Sequence, residues 1–363
     1  MAEDFNAAGS GQRATLKEVA ARAGVSVNTA SVVLNPRRNQ VVVHPDTRAR
    51  VEAAARELGY RRNLAASRLA GGAANTFCIL TDRMTNFFHA VILDASTEEA
   101  TRQGFQCMLG CTEPADRHKL DYLESLGMQG LDGFVLVPVW ESEAVRATMP
   151  GLLRPGVPVV FIDYRFPGHP GPVVGCDHAG GGRLLAEHLA GHGHRRVIFL
   201  REARQAHVSS VEARLSGARS VFSGEGLGLE VLAATSMEPE AAAGAVTQAL
   251  AREDAPTAVM CANDHLAFSL IAGLSRAGRQ ILGNLAVTGF DDVNNYLPEL
   301  LEFPRDLPFP WEMPLTTVRQ PMHEIGRKAA ELLVGMARGQ VTTPADVSLP
   351  GTLVVRESTA HRV

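Results

Sequence analysis

The sequence predicts a small all-α head joined to a large α/β body, the body divided into two parallel-sheet units. Three observations lead there. The first seventy residues read as short helices with cap residues at their ends. From Thr76 onward, short β-branched runs alternate with helical ones, the pattern of parallel strands flanked by helices, and the remaining length needs two such units. Charge divides near the same boundary. Residues 12–72 hold eleven Lys and Arg against four Asp and Glu, a balance of +7, whereas the whole chain stands at −4 and the remainder therefore at −11.

At 363 residues and 45% apolar, the chain is long enough for two or three globular cores and is not a disordered composition. A basic head on an acidic body suits a nucleic-acid-binding module joined to something that should not stick to phosphate. The five cysteines, Cys78, Cys107, Cys111, Cys176 and Cys261, form no CxxC pair or Cys/His metal spacing, which predicts reduced thiols in a cytoplasm. The opening MAEDFNAAGSG lacks the cationic start and apolar run of a signal peptide. No later segment approaches the roughly 18 apolar residues of a membrane helix. Both points argue against an exported or membrane protein.

In the head, Thr15-Leu16-Lys17-Glu18 fits a capping box, and Leu16, Val19, Ala20 and Ala23 give one apolar helical face that Gly24 ends. Ser26 is placed to cap a second helix, with Ala30, Val33 and Leu34 turned to the first and Val27, Asn28, Ser31 and Val32 turned outward. The β-branched content of Ser26 to Leu34 also fits a strand; the cap and the short turn favour a helix. A third helix starts with Pro45 in its first turn, runs through Val51, Ala54, Ala55 and Leu58, and stops at Gly59. Together these make a helix-turn-helix unit.

The stretches TLKEVAARAGVSVNTASVVLN, DTRARVEAAARELGYRRN and LAASRLAGG resemble, in residue type and order, the amino-terminal signature of the LacI/GalR family of bacterial repressors. The resemblance implies that Val27 and Asn28 read bases: Asn pairs bidentately with adenine, and Val meets a thymine methyl. Thr15, Ser26, Thr29 and Ser31 join them as DNA contacts. Val32 departs from the pattern, because many members carry Arg there. An apolar residue cannot bond a guanine edge or a phosphate, so Val32 either makes a methyl contact or only packs. PRRNQVVVHPD is longer than usual, and its Arg37 and Arg38 are read as phosphate contacts or as a solvated loop. Asn63 to Leu69 is too short for a stable isolated helix. By resemblance it is a hinge helix, in which Asn63, Ala66 and Leu69 meet the minor groove and Leu69 wedges between base pairs. Its ordering cost, about 1 to 2 kcal/mol per residue, makes it a natural point of control.

The body reads as FCIL, FQCMLG, FVLV and PVVFID, and then RRVIFL, LEVLAA, AVMCA and LAVTGF, separated by helical runs. Gly180-Gly181-Gly182 opens a helix without the GxGxxG spacing, so nucleotide binding has weak support. GHGHRRVIFL, ARLSGARSVF, AVMCANDHLAFSLIAGL, LAVTGFDD and PLTTVRQP extend the family resemblance. They imply two Rossmann-like subdomains of periplasmic-binding-protein-like fold with an effector in the cleft between them. The expected division is a disordered tail over 1–12, the helix-turn-helix domain over 13–62, hinge and linker over 63–75, and an effector and dimerisation domain over 76–363. Within the last, subdomain one takes about 76–176 and 319–346, subdomain two about 177–318 and 347–363.

A sugar needs planar bidentate groups for its hydroxyls and an aromatic face for its C–H side. By the resemblance, Asp163, Arg214, Asn263 and Asp291 supply the first, and Phe87 and Phe88 an apolar wall. Ser210 and Met237 are weaker candidates. Each has a plainer reading, since Asp at a strand end often caps a helix and the phenylalanines fit a core. The insertion NNYLPELLEFPRDLPFPWEM, with Phe309 and Trp311, fits a lid over the effector, a dimer contact or a surface loop, and Trp311 suits a sugar platform.

Glu187, His188 and His192 lie at helical spacing, but no HExxH and no GxSxG elbow is present, so neither a metal centre nor a hydrolase is expected. No cofactor is expected, and no enzyme activity. The chain ends shortly after LVVRES with no heptad tail, which predicts a homodimer on a roughly palindromic double-stranded DNA operator. The reading that stands is a DNA-binding transcription regulator controlled by a small-molecule effector, a sugar first of all. Its competitor is a solute sensor without specific DNA recognition, which Val32 favours.

Overall fold

The computed structural model describes residues 14–34, 43–60, 75–81, 87–111, 131–137, 153, 156–166, 168–224, 226–278, 285–295 and 314–359, apart from the side chains of Phe87 and Asn294. The chain forms two compact units, Met1–Ala74 and Asn75–Val363.

The first unit holds helices α1 (Leu16–Ala23), α2 (Val27–Leu34) and α3 (Pro45–Glu57). The capping box closes as the spacing requires: the Glu18 amide donates to Thr15 Oγ1 at 3.3 Å, and the Thr15 amide donates to Glu18 Oε2 at 2.7 Å. Gly24 ends α1 in the left-handed conformation, φ +64°, which only glycine adopts without strain. Ser26 Oγ then accepts from the Thr29 amide at 3.0 Å and starts α2. Strand formation at Ser26 to Leu34 loses because these two caps and the Val19, Ala30, Val33, Val51 and Ala54 core fix the helical register. Arg22 of α1 pairs with Glu57 at the end of α3.

The second unit is built on two parallel sheets. The larger comprises β1 (Thr76–Thr81), β2 (Gln106–Cys111), β3 (Phe134–Leu136), β4 (Val159–Ile162), β5 (Val173–Cys176) and the late strand β11 (Val347–Leu349), in the order β11-β5-β4-β3-β1-β2. Helix α4 (Phe87–Arg102) connects β1 to β2. The smaller sheet takes β6 (Arg196–Glu202), β7 (Gly228–Ala234), β8 (Ala258–Cys261) and β9 (Ala286–Thr288) in the order β7-β6-β8-β9. Its helices are α5 (His178–Gly191), α6 (Ser209–Val221), α7 (Pro239–Thr247) and α8 (Asp264–Arg276), with α5 on α6 and α7 on α8. The central strands are buried along their whole length, which is why they read as continuous apolar runs.

Between the sheets runs an antiparallel pair, β10 (Thr317–Arg319) with β12 (Thr352–Val354). β10 leads into α9 (Met322–Ala337), which packs on α4 and on the larger sheet. The chain thus changes sheets after Cys176 and again at β10. The third change differs from the expected residue 346: Val347–Leu349 pairs in parallel with β5, so the chain leaves the larger sheet only after Leu349. The pairing with Val174–Cys176 fills a sheet edge, a tertiary preference that local pattern does not contain. Among the described residues, no helix is long and apolar enough to cross a membrane, and none of the five cysteines is disulfide-bonded.

Candidate functional sites: a recognition helix and a cleft between two sheets

Helix α2 presents Val27, 46% exposed, with Ser26 and Asn28 also exposed and Thr29 and Ser31 half-buried. Val32 is the correction to the outward reading: it is buried, at 8% exposure, one residue from the core position Val33. At 100° per residue Val32 lies on the opposite side of α2 from Ala30 and Val33, so helix periodicity alone turns it outward, and its burial is a tertiary effect that the local pattern does not contain. Thr15 spends its hydroxyl on its own helix cap. Arg37, Arg38, Asn63, Ala66 and Leu69 lie outside the described residues, as do the 1–12 tail and the hinge.

In the second unit four residues distant in sequence form one polar run. Asp163 follows β4 with φ +56°, and its Oδ1 accepts from the Cys176 amide at 3.2 Å. His178, the first residue of α5, places Nε2 3.1 Å from that same Oδ1, though out of line for a good hydrogen bond. Its Nδ1 accepts from Arg214 Nε at 3.3 Å. Arg214 also donates through Nη1 to the Ala262 carbonyl at 2.5 Å and lies 3.7 Å through Nη2 from Asp291 Oδ1. Gln320 Nε2 donates to Asp291 Oδ1 at 2.6 Å. Asp163 comes from the larger sheet, Arg214 and Asp291 from the smaller one, and His178 joins them.

Burial and charge set the protonation of this run. Burial disfavours the Asp163 carboxylate, but His178, Arg214 and the Cys176 amide together outweigh it and hold its pKa below the usual carboxyl value. Asp291 goes the other way: burial raises it, and Arg214 and Gln320 offset this only in part. Beneath it, Asp264 is raised to about 7 by burial and by the neighbouring Asp291 charge.

The Asp291 loop is held in an unusual backbone path, with φ +124° at Asp291 and +56° at Asp292. Asp264 Oδ2 accepts from the Val293 amide at 2.9 Å and Oδ1 from Thr317 Oγ1 at 2.6 Å. Asp292, fully buried, accepts from Arg319 Nε and from Arg356 Nη2, each at 2.6 Å. Arg319 sits on β10 and Arg356 just beyond β12, so the loop that presents Asp291 is tied to the strands that join the two sheets.

Of the residues singled out from sequence, Asp163, Arg214 and Asp291 come together, and Ser210 joins Asp163 and His178 around an open cavity of about 310 Å³ that also takes in Cys176 and Ser348. Asn263 starts α8, its Oδ1 accepting from the Leu266 amide at 2.8 Å, which is the helix-cap reading. Phe88 packs half-buried on the main core and Met237 on the core of the smaller sheet. Phe87 lies at the start of α4 with its side chain outside the described residues, as is Trp311 with the insertion around it. Glu187 pairs with Arg183 at 3.8 Å, His188 bonds Thr359 Oγ1 at 2.8 Å, and His192 Nδ1 donates to the His188 carbonyl at 2.8 Å. Sequence reasoning misses His178, Asp264 and Asp292; the only signal for them is their adjacency to Cys176-Asp177, Asn263 and Asp291.

Gly182 is also accounted for. A Cβ there would lie 2.1 Å from the Arg214 carbonyl oxygen, and one on Gly217 would lie 2.0 Å from that of Ala179. The glycine run that opens α5 brings two helix backbones together and does not cradle a phosphate.

Comparison with known proteins adds three findings. The profile described as bacterial regulatory proteins, lacI family, matches residues 15–63, and that of the periplasmic binding protein-like domain matches residues 186–359. The ribose operon repressor of Bacillus subtilis (strain 168) is 27% identical over 346 residues, covering 95% of this chain and 98% of its own, and the HTH-type transcriptional repressor PurR of Photobacterium profundum is 28% identical over 351 residues with the same coverage. Among solved structures, the transcriptional regulator CelR in complex with cellobiose is 28% identical at a TM-score of 0.63, covering 95% of this chain and 100% of its own; the lac repressor dimer bound to operator and the anti-inducer ONPF is 24% identical at 0.73, covering 96% and 99%.

Proposed function

We propose that the chain, whose residues 15–63 match the lacI family of bacterial regulatory proteins, represses transcription as a homodimer whose operator affinity is set by a sugar bound between the two sheets of its body. The observation that carries the effector half of this reading is the run Asp163, His178, Arg214 and Asp291. It draws on both sheets, and its Asp163 and His178 border, with Ser210, a cavity of small-molecule size, where they offer a carboxylate and an imidazole suited to hydroxyl groups while Arg214 and Asp291 hold them from behind. The CelR structure, 28% identical and in complex with cellobiose, supports a sugar. Effector binding between the sheets biases their relative position, and that bias is the coupling free energy passed to the DNA-binding head.

In the DNA half, Val27 and Asn28 read bases, with Ser26, Thr29 and Ser31 beside them, and Arg37 and Arg38 contact phosphates. Val32 is not among the readers. The hinge contacts of Asn63, Ala66 and Leu69 are assigned by resemblance: Leu69→Gly is expected to abolish DNA bending with effector affinity intact, and retained bending removes the wedge.

The experiment is selection from a random DNA library, with bound sequences read at moderate and at high salt. A palindrome that persists at high salt is the expected result. Binding that vanishes with salt and leaves no motif means phosphate attraction alone, and overturns the repressor reading.

A further inference from the structure

We propose that His178 is a direct effector contact which, paired with Asp163, selects an uncharged polyhydroxyl ligand over a sugar acid or a sugar phosphate. The inference rests on the effector-cleft reading above.

The argument begins with the proton on the imidazole. Nδ1 faces Arg214 Nε, a group that only donates, so Nδ1 accepts and Nε2 carries a proton. The ring packs 5.8 Å from the Phe290 ring, whose face carries the Arg214 guanidinium. His178 is only 7% exposed, yet Nε2 has no aligned hydrogen-bond acceptor among the described residues. A buried donor left in that state costs free energy until something accepts from it. It borders the cavity that Asp163 and Ser210 also line.

What fills that place is dictated by Asp163, 3.1 Å from Nε2. A ligand atom that accepts from His178 beside this carboxylate must also tolerate, or better satisfy, an acceptor. A hydroxyl does both: its oxygen takes the imidazole proton and its hydrogen goes to Asp163. A carboxylate or phosphate oxygen satisfies His178 alone and meets Asp163 with like charge. Arg214 is not free to neutralise such an anion, since its Nε, Nη1 and one face are engaged by His178, Ala262 and Phe290 and its Nη2 faces Asp291.

The test uses the full chain and titrates D-ribose, D-glucose and cellobiose against D-ribose 5-phosphate, D-glucose 6-phosphate and D-glucuronate, by calorimetry and by the change in affinity for the selected operator duplex. A neutral sugar is expected to bind at least about tenfold tighter than its anionic counterpart, and Asp163→Asn to narrow that gap. For the sugar that binds, His178→Ala is expected to weaken affinity by about tenfold or more, whereas His178→Gln, whose amide donor reaches the Nε2 position, stays within a few-fold of the parent. Tighter binding of an anionic sugar, or unchanged affinity in His178→Ala, overturns the inference and leaves the sugar-controlled repressor standing. If His178→Ala does not fold, the neutral-to-anionic ratio in the parent and in Asp163→Asn decides. If no member of either set binds, the sugar-effector reading itself is overturned, and this inference with it.

Discussion

Arg214 holds its guanidinium carbon 3.8 Å from the centre of the Phe290 ring while its nitrogens reach His178, Ala262 and Asp291. One planar cation is therefore stacked and hydrogen-bonded at once, a combination an ammonium group cannot reproduce. Arg214→Lys keeps the charge and loses the fork, and effector affinity is expected to fall by roughly 10- to 100-fold. Calorimetric titration of the variant checks this; a loss under about twofold would show that charge alone matters at this position.

Close helix packing gives a second expectation. Gly182→Ala or Gly217→Ala pushes a methyl into a backbone carbonyl of the facing helix, and overpacking of this kind destabilises by about 1 to 3 kcal/mol. Because the obstructed carbonyl at Gly182 belongs to Arg214 itself, Gly182→Ala should also weaken effector binding. Gly244→Ala, in α7 with open space around its Cβ, serves as the contrast and should stabilise by about 0.5 to 1 kcal/mol. Denaturant unfolding of the three variants separates these outcomes.

Asp264 makes stability depend on pH. Its pKa rises from 3.8 to about 7 in the folded chain, through burial first and the Asp291 charge second. A carboxyl with a raised folded pKa binds its proton more tightly when folded, so its contribution is fully present below about pH 4 and is lost as pH climbs through about 7. Asp264→Asn removes this titration while sacrificing part of the bonding to Thr317 and Val293. The parent-minus-variant stability difference should shrink as pH rises from about 4 to about 8, measured by melting temperature across that window. A difference that is flat or grows with pH contradicts the assignment.

On the recognition helix, Val32 and Asn28 should behave oppositely. Val32→Ala removes buried methyl groups and is expected to cost about 1 to 2 kcal/mol of stability in the DNA-binding unit, with base preference unchanged. Asn28→Ala should leave the melting temperature nearly unchanged and cost about 1 to 3 kcal/mol of discrimination at one base pair. Repeating the DNA selection with both variants measures this directly.

Much of the architecture was legible locally. Thr15 with Glu18, Gly24, Ser26 and Pro45 announce helix ends because caps are made by neighbours a few residues away. The buried strands read as apolar runs for a similarly short-range reason. Asp163, Arg214 and Asp291 were legible through their family motifs and not through any spacing, since they lie on different elements. His178, Asp264 and Asp292 left no comparable mark: a histidine or aspartate at a helix start or turn is an ordinary surface choice, and only packing made these three buried.

The sequence by itself determined the two-part division, the caps, the helix-turn-helix unit and the parallel-strand rhythm, because each depends on residues within one or two turns of each other. The tertiary structure decided that Val32 is covered, that Val347–Leu349 completes the larger sheet, and that His178 lies between Asp163 and Arg214. Burial and pairing of this kind are properties of what packs against a residue, and the partners lie from 15 to more than 170 positions away, as with Asp163 to His178 and Val174 to Val347. A chain fixes such contacts only when every element is in place, and the cleft is where those elements meet.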